Sequence, residues 1–167
     1  MTQSKQIWHG RRLIIAAMNP SDLTRRIHEA VALRAYHIYK RRGCLPGQDL
    51  EDWRHAEREV VKLLSCGFLR LDDKISVDTD ASIFQEGEIE IGVEPRRLSV
   101  CGKQRIPRGE PRVGETASRD EVVFYVLYLP VDIDPLHVRA RFNGCCLEID
   151  LPYARGSQTS HPPTKAA

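Results

Sequence analysis

The residues able to do chemistry in this chain are scattered rather than gathered. His28, Glu29, His37, His55 and Glu57 are the first candidates for a metal site. His28 and His37 lie nine residues apart, whereas one helix face presents a ligand pair only at spacings of three or four. These side chains therefore read as surface residues. Asp72, Asp73, Asp78 and Asp80 lack the glycine and glutamate that a calcium loop requires at fixed offsets. Cys44, Cys66, Cys101, Cys145 and Cys146 are odd in number and show no Cys-x-x-Cys spacing, which indicates neither a disulfide framework nor a zinc site. Cys145 reads as a small core residue, and strand neighbours pointing to opposite faces argue against a redox dyad with Cys146. No nucleophile elbow surrounds a serine, and no glycine-rich phosphate loop opens a helix. The expectation is a protein with no catalytic residues, no metal and no cofactor, and hence not an enzyme.

One cationic cluster remains. Arg25, Arg26, Arg34, Lys40, Arg41 and Arg42 could meet phosphate, but a basic solvated helix face explains them more simply. The net charge of +2 hides an asymmetry: residues 1–71 carry 13 Lys/Arg against 7 Asp/Glu, and residues 72–167 carry 12 against 16, so the halves are +6 and −4. Two modules with different surfaces follow. At 167 residues, with 41% hydrophobic and 29% charged content, the chain suits soluble globular packing. The apolar run Leu13 to Met18 is shorter than a signal peptide's core or a spanning helix. A cytoplasmic location without membrane contact is expected.

The elements that would position any site read as follows. Residues 1–20 form a flexible arm carrying Trp8 and the apolar patch Leu13, Ile14 and Ile15, with a strand or turn packed on the following helices as an equal alternative. Residues 21–65 form a helical hairpin. Ser21 is placed as the first N-cap, and Leu23, Ile27, Val31, Ala35 and Ile38 make one face up to a stop at Gly43. Asp49 is placed as the cap of a second helix with its stripe at Leu50, Trp53, Ala56, Val60 and Leu63 or Leu64. A linker over 65–71 precedes strands at Lys74–Val77, Glu88–Val93, Leu98–Gly102 and Val122–Leu129. The last of these is apolar on both faces and must be covered on both. Ile106–Arg119 reads as a loop, and 153–167 as a disordered tail with no Ile, Leu or Val beyond Pro152. Between these, Asn143-Gly144 divides two alternating runs and predicts a two-residue hairpin loop. That loop would set Phe142 opposite Cys145, Ala140 opposite Leu147 and Val138 opposite Ile149, with Arg139 facing Glu148 and His137 facing Asp150 on the other side.

The series Leu129-Pro130, Ile133-Asp134-Pro135, Val138, Ala140, Asn143-Gly144, Leu147, Ile149 and Leu151-Pro152 resembles the end of the alpha-crystallin domain of small heat-shock proteins. Ile89 to Val93 and Leu98 to Lys103 are similar to that family's central hairpin. Ala35-Tyr36, Tyr39, Gly43, Gly47, Asp49, Asp52-Trp53 and Ala56-Glu57 look like a bacterial domain of unknown function. The resemblance implies an α+β chain: an N-terminal antiparallel helical hairpin, then an all-β immunoglobulin-like sandwich of alpha-crystallin type over 72–152.

It further implies an ATP-independent chaperone that holds unfolding proteins. The expected client groove is Ile89, Ile91 and Val93 on one strand with Val138, Ala140 and Phe142 on another, aided by Trp8, Leu13, Ile14 and Ile15 of the arm. Unfolded clients and a homodimer or small homo-oligomer are the expected partners, with nucleic acid not expected. The alternative is a non-enzymatic adaptor that offers one face of the same sandwich to a specific partner.

Overall fold

The computed structural model describes residues 7–8, 10–17, 20–107 and 118–156. It begins with strands. β1 (Ile7–Trp8) pairs antiparallel with β2 (Arg11–Ala17), and Gly10 between them adopts a φ of 74° that a side chain would resist. The arm is thus a strand over 11–17, but it pairs with residues 87–93 of the sandwich and not with the helices, while Met18 lies outside the described residues.

Helix α1 (Pro20–Arg41) starts two residues earlier than a cap at Ser21 implies. Proline at the first helical position loses no internal hydrogen bond, so Ser21 sits within the first turn instead of capping it. Leu23 and Val31 are buried, with Ile27, Ala35 and Ile38 packed beside them, as the spacing predicted. The helix ends before Gly43, whose φ of 84° reverses the chain.

Helix α2 (Asp49–Val60) has Gln48 as its N-cap, without a side-chain capping bond. Asp49, expected as the cap, instead joins Glu51 and Asp52 in the first turn, where carboxylates oppose the helix dipole. The expected continuation to Leu64 does not occur. Val61 turns to extended backbone, and β3 (Val61–Leu63) pairs parallel with a strand near the chain's far end. Paired β-branched Val60-Val61 favour that change. Leu64 consequently enters the sandwich core, whereas Leu63 is 78% exposed.

The expected linker is also a strand. β4 (Gly67–Arg70) pairs antiparallel with β5 (Lys74–Asp80). A single 3-10 turn, Ala81–Ile83, then leads to β6 (Gly87–Glu94), and Pro95-Arg96 turns it into β7 (Arg97–Pro107). β8 (Ser118–Tyr128) returns beside β7. Both strands extend into the region read as a loop, and 108–117 lies outside the described residues. β9 (Arg139–Asn143) and β10 (Cys146–Pro152) close the fold.

The sheets have the orders β1-β2-β6-β7-β8-β3 and β4-β5-β10-β9. Their facing sides bury Ile75, Val77, Ile91, Val100, Leu147 and Ile149 completely, each worth about 1.5–3 kcal/mol relative to exposure. Gly102 is required here, because a Cβ would stand 2.5 Å from the buried Phe84 ring. The outer side of the larger sheet carries Cys101 and Phe124, and the two helices lay Leu23, Val31, Ala56 and Val60 on them. β8 is therefore covered on both faces, by the sandwich within and the helices without.

The terminal hairpin differs from expectation in register. Its turn is Gly144-Cys145, with Gly144 at a φ of 59°, so Phe142 pairs Leu147, Ala140 pairs Ile149, Arg141 pairs Glu148 and Arg139 pairs Asp150. Glycine at the first central position suits the mirror-image turn that hairpin twist favours. Each strand slides one residue, so pairs shift by two in sum and the side chains that remain in the strands keep their faces, whereas Cys145, expected in the core, lies exposed in the turn. The tail's first residues are tied down rather than loose: Tyr153 bridges Ile133, and its hydroxyl donates to Leu71 O at 3.0 Å. The rest of the tail, from 157, lies outside the described residues.

Candidate functional site

The expected groove floor is present, and it is filled. β2 lies parallel to β6 with Leu13 beside Ile89 and Ile15 beside Ile91. Because β7 occupies the other side of β6, both backbone edges of β6 are paired. Leu13 is 3% exposed and belongs to the sandwich core, with Ile15 packed against it. Ile14 is half-buried, and β2 runs close to β9.

Ile89, Ile91 and Val93 are fully buried, Ala140 is buried, and Val138 and Phe142 are half-buried against the same core. The structure thus brings the six predicted residues and Leu13 together. It corrects the expectation of open pockets, since the chain's own strand closes the groove. Trp8 is placed by its backbone on β1, away from the paired residues of β6.

Electrostatics latch the start of β2. Arg11 donates from Nε and Nη2 to Phe84 O at 2.9 and 2.7 Å, Arg12 pairs with Glu88, and Gly87 N donates to Gly10 O at 3.0 Å. The other end of β2 leads directly into α1, so groove cover and helical hairpin are one continuous segment.

The hairpin is held by ion pairs as well as by apolar contact. Arg26 forms a two-pronged bond to Glu90 at 2.7 Å on both arms, and that bond raises the Arg26 pKa. Arg34 is buried between Glu59 and Glu121, the latter at 3.4 Å. Arg42 reaches Asp52 at 2.7 Å, and this hydrogen bond, followed by the charge itself, holds the Asp52 carboxyl below its ordinary range. The basic face read as solvated is therefore structural at these three positions. Its signal was Arg26 and Arg34 flanking the apolar stripe.

Among the described residues no group of three His, Cys, Asp or Glu side chains comes together to hold a metal. His28 instead packs on Trp53 with ring centroids 4.8 Å apart and planes tilted by 49°, and His55 faces Glu59 at 3.3 Å. Asp134 accepts from Leu136 N and approaches His137 Nδ1 at 2.7 Å, which lowers its pKa, the histidine contributing most. It fixes the bend leading into β9.

A second surface escaped the sequence reading. β4 has no neighbour on its outer side among the described residues, and Phe68, Leu69 and Leu71 are 42, 58 and 40% exposed. The signal was an apolar run, Phe68-Leu69-Arg70-Leu71, between Gly67 and Asp72.

The two packed sheets, with a strand-filled edge groove, define an alpha-crystallin type sandwich. The model of the Hsp20/alpha crystallin family matches residues 68–164, more than half of the chain. The chain belongs to that family. Residues 26–61 match DUF2934, a family described as protein of unknown function, which spans most of the helical hairpin. No curated protein sequence matches.

Similar solved structures include heat shock protein 16.0 from Schizosaccharomyces pombe, with 18% identity and a TM-score of 0.43, covering 62% of this chain and 98% of that one. Stress-induced protein 1 from Caenorhabditis elegans has 20% identity and a TM-score of 0.40, covering 60% and 98%. A rat alpha crystallin domain has 22% identity and a TM-score of 0.38, covering 59% and 98%.

Proposed function

We propose that this chain is an ATP-independent holdase that captures extended apolar segments of unfolding proteins on the β6 edge. One observation carries the reading: an extended apolar segment, Leu13-Ile14-Ile15, already sits there as an added strand. Strand addition draws affinity from backbone pairing and asks only for apolar side chains at alternate positions. A client strand would enter as β2 leaves, with Ile89, Ile91, Val93, Val138, Ala140 and Phe142 as its floor. Exposed Phe68, Leu69 and Leu71 along β4 support pairing of two copies, giving a homodimer or small oligomer. The work requires no catalysis or cofactor and suits the cytoplasm. Arg26, Arg34 and Arg42 are engaged by carboxylates, which speaks against nucleic acid as the partner.

The filled groove favours a second reading, an adaptor that binds one specific partner elsewhere on its surface. Light scattering of a heat-labile client, with and without the protein and without ATP, separates the two when run beside its mass in solution. Suppression near equimolar ratio is expected. Unchanged client aggregation, with a monomeric or dimeric mass, would select the adaptor.

A further inference from the structure

The terminal hairpin's tip holds a feature that the expected register had hidden. With the turn at Gly144-Cys145, Cys145 leaves the strand, and both Cys145 and Cys146 are exposed. Cys145 sits in the turn and Cys146 opens β10, so the two neighbours no longer alternate along one strand. Desolvation comes first, then the charge and hydrogen bond of Cys145, then Asp80 and Asp78; together they push the Cys146 thiol up. Cys145, exposed in the turn, is the accessible nucleophile, and its partner Cys146 is its exposed neighbour in the chain. The other cysteines lack this arrangement. Cys44 is exposed, Cys66 half-buried, and Cys101 buried with its pKa pushed up to about 11, chiefly by desolvation.

We propose that Cys145 and Cys146 form a reversible dithiol–disulfide site oxidised by hydroperoxides. The Cys145 sulfur attacks one peroxide oxygen, the O–O bond breaks, and the departing hydroxide takes the thiol proton as water, leaving a sulfenic acid. The Cys146 sulfur then attacks the Cys145 sulfur, the S–O bond breaks, and the hydroxyl leaves with the Cys146 proton as a second water. Two thiols lose two electrons in all, and one hydrogen peroxide becomes two waters.

Geometry makes the product labile. Consecutive Cα atoms stand about 3.8 Å apart across a trans peptide, short of the usual span of about 4.4–6.8 Å in a disulfide. A strained, exposed disulfide is readily reduced, the behaviour of a switch rather than a staple. The ring also contains the Cys145–Cys146 peptide, whose carbonyl accepts Ala81 N at 2.8 Å. Closing it pulls on the 3-10 turn that leads to Phe84 and β6.

The test uses the full chain with hydrogen peroxide, followed by alkylation, trypsin and mass analysis. Cleavage after Arg141 and Arg155 yields a peptide, Phe142 to Arg155, whose cysteines are Cys145 and Cys146 alone. It should appear lighter by two hydrogens and unalkylated, and dithiothreitol should restore both alkylations. In C146S the same peptide should be labelled by a sulfenic-acid probe at Cys145. Oxidation of Cys44, on its own tryptic peptide, reports that the oxidant acted. Intact thiols, a sulfinic acid or a bond to another chain at 145–146 under those conditions would overturn the proposal. Ala81 amide exchange should speed up severalfold on oxidation; unchanged exchange with the disulfide formed would remove the link to the turn.

Discussion

The two sheets solve the same problem differently. Each has an inner face in the common core, but the outer face of the larger sheet carries Cys101 and Phe124, whereas that of the smaller carries charged pairs, Arg141 with Glu148 and Lys74 with Asp150. The first needs a cover, and the N-terminal segment supplies it: β2 along the β6 edge, then α1 and α2 across the face. The second meets water directly, with only its β4 edge left apolar. An apolar outer face is thus paired with a dedicated chain segment, and a charged one is left to solvent. The proposed capture of client strands rests on that division, because it requires the covering segment to leave.

The contrast breaks most sharply at Phe124. F124A removes the aromatic anchor beneath the helices and should cost about 3–5 kcal/mol, read as a lower denaturant midpoint with early loss of the Trp53 signal. A change under about 1 kcal/mol would mean that the helices do not rest on that face. L13A should cost about 3 kcal/mol, confined to β2: amide protection over 11–17 falls while that over 74–80 holds.

Acid should act on the cover as well. The Asp52 carboxyl is depressed by Arg42, so its stabilisation is complete above the ordinary carboxylate range near about pH 4 and is lost as pH falls through the depressed value. The hairpin should loosen there in a circular-dichroism titration, and D52N should remove that acid step.

On the open sheet the effects are small. R141A breaks an exposed pair and should cost about 0.2–1 kcal/mol, diminishing in high salt. L69K should shift stability by less than about 0.5 kcal/mol yet lower the mass in solution, since it charges the β4 edge. An unchanged mass would place subunit contacts elsewhere.

Much of this was legible in the residues. Alternation marked β5, β6, β7 and β10, and the apolar stripe of α1 marked its buried face, because both patterns follow from one periodicity. Parallel pairing was not legible. β2 and β3 join strands far along the chain, and no local pattern records which edge receives them. Thus Leu13 read as part of a flexible arm or of a strand or turn on the helices, never as a strand of the sandwich, and Val61 to Leu63 read as helix. The predicted groove residues do lie together, but their closure depends on β2. The hairpin register was missed by one residue per strand because Asn143-Gly144 and Gly144-Cys145 both suit a tight turn, and that slip concealed the thiol pair.

In the proposed mode of capture, client strands replace β2 on β6. Hydrogen exchange over residues 11–17, with and without a saturating unfolded client at the temperature where the client is held, tests it most directly. β2 is expected to lose protection when the client binds, while β6 keeps its own. Full protection of β2 alongside effective client holding would contradict it.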